Sequence, residues 1–214
     1  MNESDESVVP DPGPGHLTPA GLYRRSIDLG ELMPDVAQAA VIDRLDQLFE
    51  RAMKRQTPSS GLVKDVLVKW LGLSSSNAAG SVRGLYIWGG VGRGKTMMMD
   101  MFCSALPAER RQRMHFHRFM RRVHDALGRH SGQANPLLKV ADEIAAGGDI
   151  LCFDEFFVSD IGDAMILGEV MTALFQRGVS LIATSNVEPV NLYKNGLQRS
   201  RFLPAIDQIY AYCD

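Results

Sequence analysis

The feature that most constrains this chain is Gly89-Gly90-Val91-Gly92-Arg93-Gly94-Lys95-Thr96, which fits G-x-x-x-x-G-K-[ST]. It follows a short apolar run, Leu85-Tyr86-Ile87-Trp88, and opens a Met-rich stretch, Lys95–Leu106, that reads as a helix. Strand, glycine loop and helix in that order form a phosphate cradle. Glycines let successive backbone N–H groups curl onto phosphate oxygens, and the helix N-terminus adds positive potential. Lys95 then reaches the β- and γ-phosphates, and the Thr96 hydroxyl holds Mg²⁺. The alternative, a glycine-rich turn matching by chance, is disfavoured by this context.

A second signal lies about sixty residues on. Ile150-Leu151-Cys152-Phe153-Asp154-Glu155 is an apolar strand closed by two acids. In phosphate-loop ATPases the first such acid helps hold Mg²⁺. The second can orient and deprotonate an attacking water. A third element, Leu181-Ile182-Ala183-Thr184-Ser185-Asn186, puts a polar cluster at the C-terminal end of a strand, where parallel sheets bind ligands. Asn186 there either bonds a γ-phosphate or the lytic water, or favours the turn before Pro189. The fourth, Gln198-Arg199-Ser200-Arg201-Phe202, carries two arginines. They are either surface side chains of a loop or donors to a neighbouring subunit's nucleotide.

The rest of the chain is consistent with that frame. Residues 1–20 hold prolines and glycines with few apolar side chains and read as a flexible tail. Residues 21–82 read as a helical linker region, with an amphipathic helix after Pro34 and a weaker helical stretch over Leu62–Leu71. The small-residue run Ser74–Ser81 reads as a connector. Residues 83–214 read as the phosphate-loop core. Beyond the strand before the loop, strands are expected over Met114–Phe119, Ile150–Phe153 and Val179–Thr184. Helices alternate with them, one capped by Asp160 with Met165 on its inward face. The alternation implies an α/β fold with a parallel sheet covered on both faces.

Composition excludes several classes. A net charge of -2 argues against a dedicated nucleic-acid binder. No apolar run approaches the roughly 18 residues of a membrane span. The N-terminus is acidic, unlike a signal peptide, and the three cysteines have no metal-ligand or disulfide spacing. A cytoplasmic protein with reduced thiols is the expectation. Residues 110–124 hold six arginines and three histidines. They form either a solvated helix face with a few buried histidine contacts or a surface for an acidic partner. A GTPase is excluded, because no Asn-Lys-x-Asp motif follows Asp154.

With these elements in place, the chain resembles the AAA+ ATPases. It is more specifically similar to the ZapE-type family of bacterial cell-division ATPases, related to the AFG-type ATPases. The resemblance runs from about residue 17 onward. It rests on His115-Phe116-His117-Arg118-Phe119-Met120, on Leu151–Ile161, on Asn195-Gly196-Leu197-Gln198-Arg199 and on Arg201-Phe202-Leu203-Pro204-Ala205-Ile206. Gly90 stands where many members carry proline. The resemblance implies ATP held by Gly89, Gly90, Val91, Gly92, Arg93, Gly94, Lys95 and Thr96, with Mg²⁺ held by Thr96 and Asp154. It implies Glu155 as catalytic base, Asn186 as γ-phosphate sensor and Arg201, or else Arg199, as an arginine supplied in trans within a homo-oligomer. It implies a protein client such as FtsZ. It also implies a strand order of 5-1-4-3-2 followed by a helical lid. The fifth strand would begin near Cys213-Asp214, so the expectation is a chain truncated before that strand and the lid, with Leu85–Trp88 left as an unpaired edge. The rival expectation is a nucleotide-binding or interaction module without turnover.

Overall fold

The computed structural model describes residues 17–55 and 82–214. The stretches expected as a weaker helix over Leu62–Leu71 and a connector over Ser74–Ser81 lie outside them. Two helices come first, α1 (Pro19–Asp28) and α2 (Val36–Lys54). The Thr18 hydroxyl accepts from Gly21 N–H at the start of α1, and Asp35 accepts from Ala37 and Gln38 at the start of α2. Helix α1 is absent from the sequence reading, which extends the tail through residue 20. Its only fully buried residues are Pro19 and Tyr23, too few to leave a periodic trace.

Four strands then form one parallel sheet: β1 (Leu85–Trp88), β2 (Arg111–His115), β3 (Ile150–Asp154) and β4 (Ser180–Ser185). Their order is β1-β4-β3-β2, with Leu85 opposite Ile182, Cys152 opposite Ile182, and Arg113 opposite Cys152. Helices α3 (Lys95–Ala105), α4 (Phe116–Arg129), α5 (Pro136–Ala145), α6 (Ile161–Gln176) and α7 (Leu203–Tyr212) complete the described fold. One face of the sheet is covered by α1, α2 and α3, whose Tyr23, Leu45, Leu48, Met99 and Phe102 share a cluster with Ile150, Cys152 and Ile182. The other face carries α4 to α7 around Phe116, Phe119, Phe153 and Phe156. Helices α1 and α2 thus share a hydrophobic cluster with α3 and that face of the sheet.

Three expectations change. The strand expected over Met114–Phe119 lies at Arg111–His115, and Phe116 already begins α4. Phe116, Phe119, Met120 and Val123 are buried at helical spacing, which decides the matter against a strand. Met165, expected inward on α6, is 41% exposed, and Leu167, Val170 and Leu174 fill the core instead. Finally, the outer edge of β1 is paired over its first half. Cys213 forms a parallel bridge with Gly84, Asp214 N–H donates to Gly84 C=O (3.1 Å), and Tyr86 N–H donates to Asp214 C=O (2.9 Å). Arg83 fastens this junction by donating to the carbonyls of Tyr210, Ala211 and Cys213, the unsatisfied acceptors at the end of α7.

Among the described residues, no helix is long and apolar enough to cross a membrane. All three cysteines are free and buried.

Candidate functional site

The glycine loop leaves β1 at Trp88 and enters α3 at Lys95. Gly92 and Gly94 take φ of 79° and 81°, a left-handed conformation that side chains rarely tolerate. Lys95 folds back over the curl, its ammonium donating to the Gly89 and Gly90 carbonyls at 2.7 Å each. Partial desolvation lowers its pKa from the ordinary lysine value. Helix α2 braces the loop from outside, where Gln38 Nε2 donates to Arg93 C=O (3.4 Å).

A cleft of about 510 Å³ opens beside this loop. Val91 to Met97 line one wall, and Glu155, Thr184, Ser185 and Asn186 line the other. Strand order produces this meeting, because β4 lies between β1 and β3 and the three strands end on the same edge. Glu155 sits at a left-handed corner with φ of 53°. Three bonds from β4 hold the corner. Glu155 N–H donates to Thr184 Oγ1 (3.3 Å), Phe156 N–H to Thr184 C=O (2.7 Å), and Ser185 Oγ to Phe156 C=O (2.7 Å). The cost of such a conformation in a non-glycine residue is about 1–2 kcal/mol. What it achieves is a reversal of direction: Asp154 stays buried while Glu155 emerges on the cleft wall.

Asp154 does not line the cleft. Its carboxylate accepts two bonds from one side chain, Arg113 on β2, from Nε (2.8 Å) and from Nη2 (3.3 Å). The remaining arm of the guanidinium donates to Asp100 on α3. Burial alone would lower the Arg113 pKa, but the bonds to Asp154 and Asp100 outweigh it and raise it above the ordinary arginine value. Sequence reasoning missed Arg113 and Asp100. Asp100 had a visible signal, standing one turn after Thr96 on the same helix face. Arg113 had none, since its partners depend on strand order.

Thr96 and Asp154 offer hydroxyl and carboxylate oxygens, the hard donors Mg²⁺ takes. Among the described residues no cluster of three or more His, Cys, Asp or Glu could hold a metal. Mg²⁺ is commonly held by one or two protein oxygens together with substrate phosphates and water. Arg199 and Arg201 lie elsewhere, in a 3₁₀ turn ahead of α7. Arg199 Nη2 donates to Val190 C=O (2.7 Å), whereas Arg201 is exposed at the rim of a separate, largely apolar hollow of about 740 Å³. The structure thus brings Lys95, Thr96, Glu155 and Asn186 around one cleft, sets Asp154 beneath an arginine, and leaves Arg201 outside. The arginine-rich segment divides as well. Arg110 is buried against Asp149, Arg113 is engaged as described, and Arg122 donates to Gln112 (3.0 Å), while Arg118 and Arg121 are exposed on α4.

The AFG1-like ATPase family profile matches residues 17–214. This chain belongs to the AFG1-like ATPase family. Cell division protein ZapE of Escherichia coli (strain K12) is 51% identical over 201 residues, covering 92% of this chain and 53% of that protein. Lactation elevated protein 1 homolog B of Danio rerio is 46% identical over 142 residues, covering 61% of this chain and 28% of that one. The chain thus spans about half the length, or less, of these curated relatives. The crystal structure of the DnaC helicase loader aligns with a TM-score of 0.46 at 16% identity, covering 75% of this chain and 92% of that one. That likeness is too loose to carry an argument. The architecture itself is an α/β fold, a parallel sheet with a glycine-rich loop between β1 and α3.

Proposed function

We propose that this chain binds Mg·ATP in the 510 Å³ cleft and forms the catalytic part of an ATPase. The observation that carries the reading is the convergence of Lys95, Thr96, Glu155 and Asn186 on that one cleft from three separate strand ends. The loop N–H groups and Lys95 bind the β- and γ-phosphates, and Thr96 and Asp154 hold the metal, which supplies charge neutralisation at the phosphates. Glu155, on the cleft wall, accepts the proton of the attacking water. Asn186 orients that water or the γ-phosphate. A second, smaller cleft of about 320 Å³ between α2 and the loop, lined by Gln38, Val41 and Trp88, supplies room for the base and ribose.

Turnover, in this reading, takes place in a homo-oligomer. Arg201 is exposed and outside its own chain's cleft, so a neighbour would receive it, with Arg199 as the alternative donor. A trans arginine contributes about 10³-fold or more in rate. The role named for the ZapE relative, in cell division, supports ATP-driven action on a protein client such as FtsZ in the cytoplasm. One observation favours a second reading, nucleotide binding without turnover: both oxygens of Asp154 are engaged by Arg113.

Titration with a fluorescent ATP analogue tests the binding. Lys95→Ala should abolish it and Glu155→Gln should preserve it; equal affinity of wild type and Lys95→Ala would overturn the proposal. Multiple-turnover phosphate release separates the two readings. Full activity in Arg201→Ala, or activity independent of protein concentration, would remove the trans arginine.

A further inference from the structure

The Arg113 guanidinium is the only hydrogen-bonding partner of the Asp154 carboxylate among the described residues, and it is shared with Asp100. The two acids differ. The Asp154 side chain is 11% exposed and sits at the end of β3, whereas that of Asp100 is 55% exposed on α3. The guanidinium thus spans from a buried carboxylate to a solvated one, and from the strand carrying the metal ligand to the helix carrying Thr96.

We propose that Arg113 is a positioning residue for the Mg²⁺ site, holding Asp154 until the metal arrives, with Asp100 as the anchor that draws the guanidinium away. The inference rests on the nucleotide reading above. Its chemistry is competition between two cations for one carboxylate. A buried carboxylate without a partner is costly, so a resident guanidinium keeps Asp154 paired and aimed in the metal-free state. The same guanidinium must give up at least part of its hold when Mg²⁺ takes an oxygen of Asp154. Asp100 lowers the cost of that exchange, because a second carboxylate is already bonded to the arginine. The planar fork of arginine is suited to this sharing, since one group presents separate N–H donors to two acids at once, which a lysine ammonium cannot do with the same geometry.

Two substitutions are expected to move the metal requirement in opposite directions. Arg113→Met removes the cation that competes for the Asp154 oxygens, so Mg²⁺ should act at lower concentration. Asp100→Asn leaves Arg113 with Asp154 as its one remaining carboxylate, so Mg²⁺ should be needed at higher concentration. Each shift should be at least about threefold, the scale of a partly exposed ion pair. Arg113→Lys should fall between wild type and Arg113→Met.

The experiment follows binding of a fluorescent ADP analogue to the 214-residue chain while Mg²⁺ is titrated, and again in EDTA. Opposed shifts of the Mg²⁺ midpoint, with affinity in EDTA changed less than about twofold, would establish the role, because a merely structural arginine would weaken both. Unchanged midpoints in both variants, or shifts of the same sign, would overturn it. Should Arg113→Met not fold, the exposed Asp100→Asn decides alone, a higher midpoint supporting the role and an unchanged one removing it. Absence of nucleotide binding by wild type would instead overturn the nucleotide reading itself, and this inference with it.

Discussion

The two walls of the cleft are built by opposite means. The loop wall is made by one continuous stretch, β1 to α3, and its binding groups are backbone N–H groups with a single lysine laid over them. The opposite wall shows Glu155, Thr184, Ser185 and Asn186 to the cleft and is backed by residues from four elements. Asp154 ends β3, Glu155 turns a corner tied to Thr184 on β4, and Arg113 on β2 bridges to Asp100 on α3. A change to the first wall therefore acts through local backbone geometry. A change to the second propagates through ion pairs and hydrogen bonds between distant elements.

The largest effect that tests this contrast is steric and lies at the base of the loop wall. A Cβ on Gly84 would collide with the Leu181 carbonyl oxygen, backbone that cannot swing aside. Gly84→Ala should cost at least about 4 kcal/mol, read as the loss of the urea unfolding midpoint, in the range reserved for severe core disruption. A modest shift would mean that β1 and β4 can separate without harm, and the loop wall would not be rigid.

Next in size is Arg110, at the foot of β2. Its guanidinium is buried against Asp149 and donates to Ala52 C=O (2.6 Å), joining α2 to the strand that carries Arg113. Arg110→Ala should cost about 2 kcal/mol by removing both charge-assisted hydrogen bonds to Asp149, which keeps, among the described residues, only the longer pair with Arg55 (3.9 Å). Urea denaturation measures it, and a loss below about 1 kcal/mol would show that cross-element pairs contribute little to this wall.

Glu155→Gly should do the reverse. Removing the side chain from a left-handed corner should stabilise the fold by about 1 kcal/mol while abolishing phosphate release, whereas Glu155→Ala should bring no such gain. Equal melting temperatures for the glycine and alanine variants would mean that the corner is unstrained. Smallest of all is Lys54→Ala, which breaks an exposed i,i+4 pair with Glu50 on α2. It should change stability by less than about 0.5 kcal/mol in the same denaturation measurement, a baseline against which the buried pairs are judged.

How far the residues announced this arrangement follows the same division. The loop, its flanking strand and helix, and the Asp154-Glu155 pair were legible because each is contiguous and chemically distinctive. The order β1-β4-β3-β2 entered through family resemblance, not through periodicity. Arg113 and Arg110 read as members of a basic segment, because their partners Asp154 and Asp149 lie far along the chain and meet them only through the register of β2 against β3. The strand β2 itself was displaced in the reading because Arg111-Gln112-Arg113 lacks the apolar texture expected of a strand. Its charged residues suit an edge strand, which has one side without a sheet partner. The Glu155 corner was illegible for another reason: nothing in a glutamate indicates positive φ, and only Thr184 and Ser185 opposite impose it.

The position of β1 at the side of the sheet also sets a schedule for synthesis. Its partner β4 is the last of the four described strands to leave the ribosome, and the residues that pair with its outer edge, Cys213 and Asp214, come later still. At ordinary elongation speeds, Leu85-Tyr86-Ile87-Trp88 waits on the order of 5 to 20 s before β4 exists. During that interval the apolar strand that leads into the glycine loop is a nascent segment with its hydrogen bonds unmade. Protection by a chaperone, or a pause placed after residue 185, would then govern yield more than the final stability of the folded protein does.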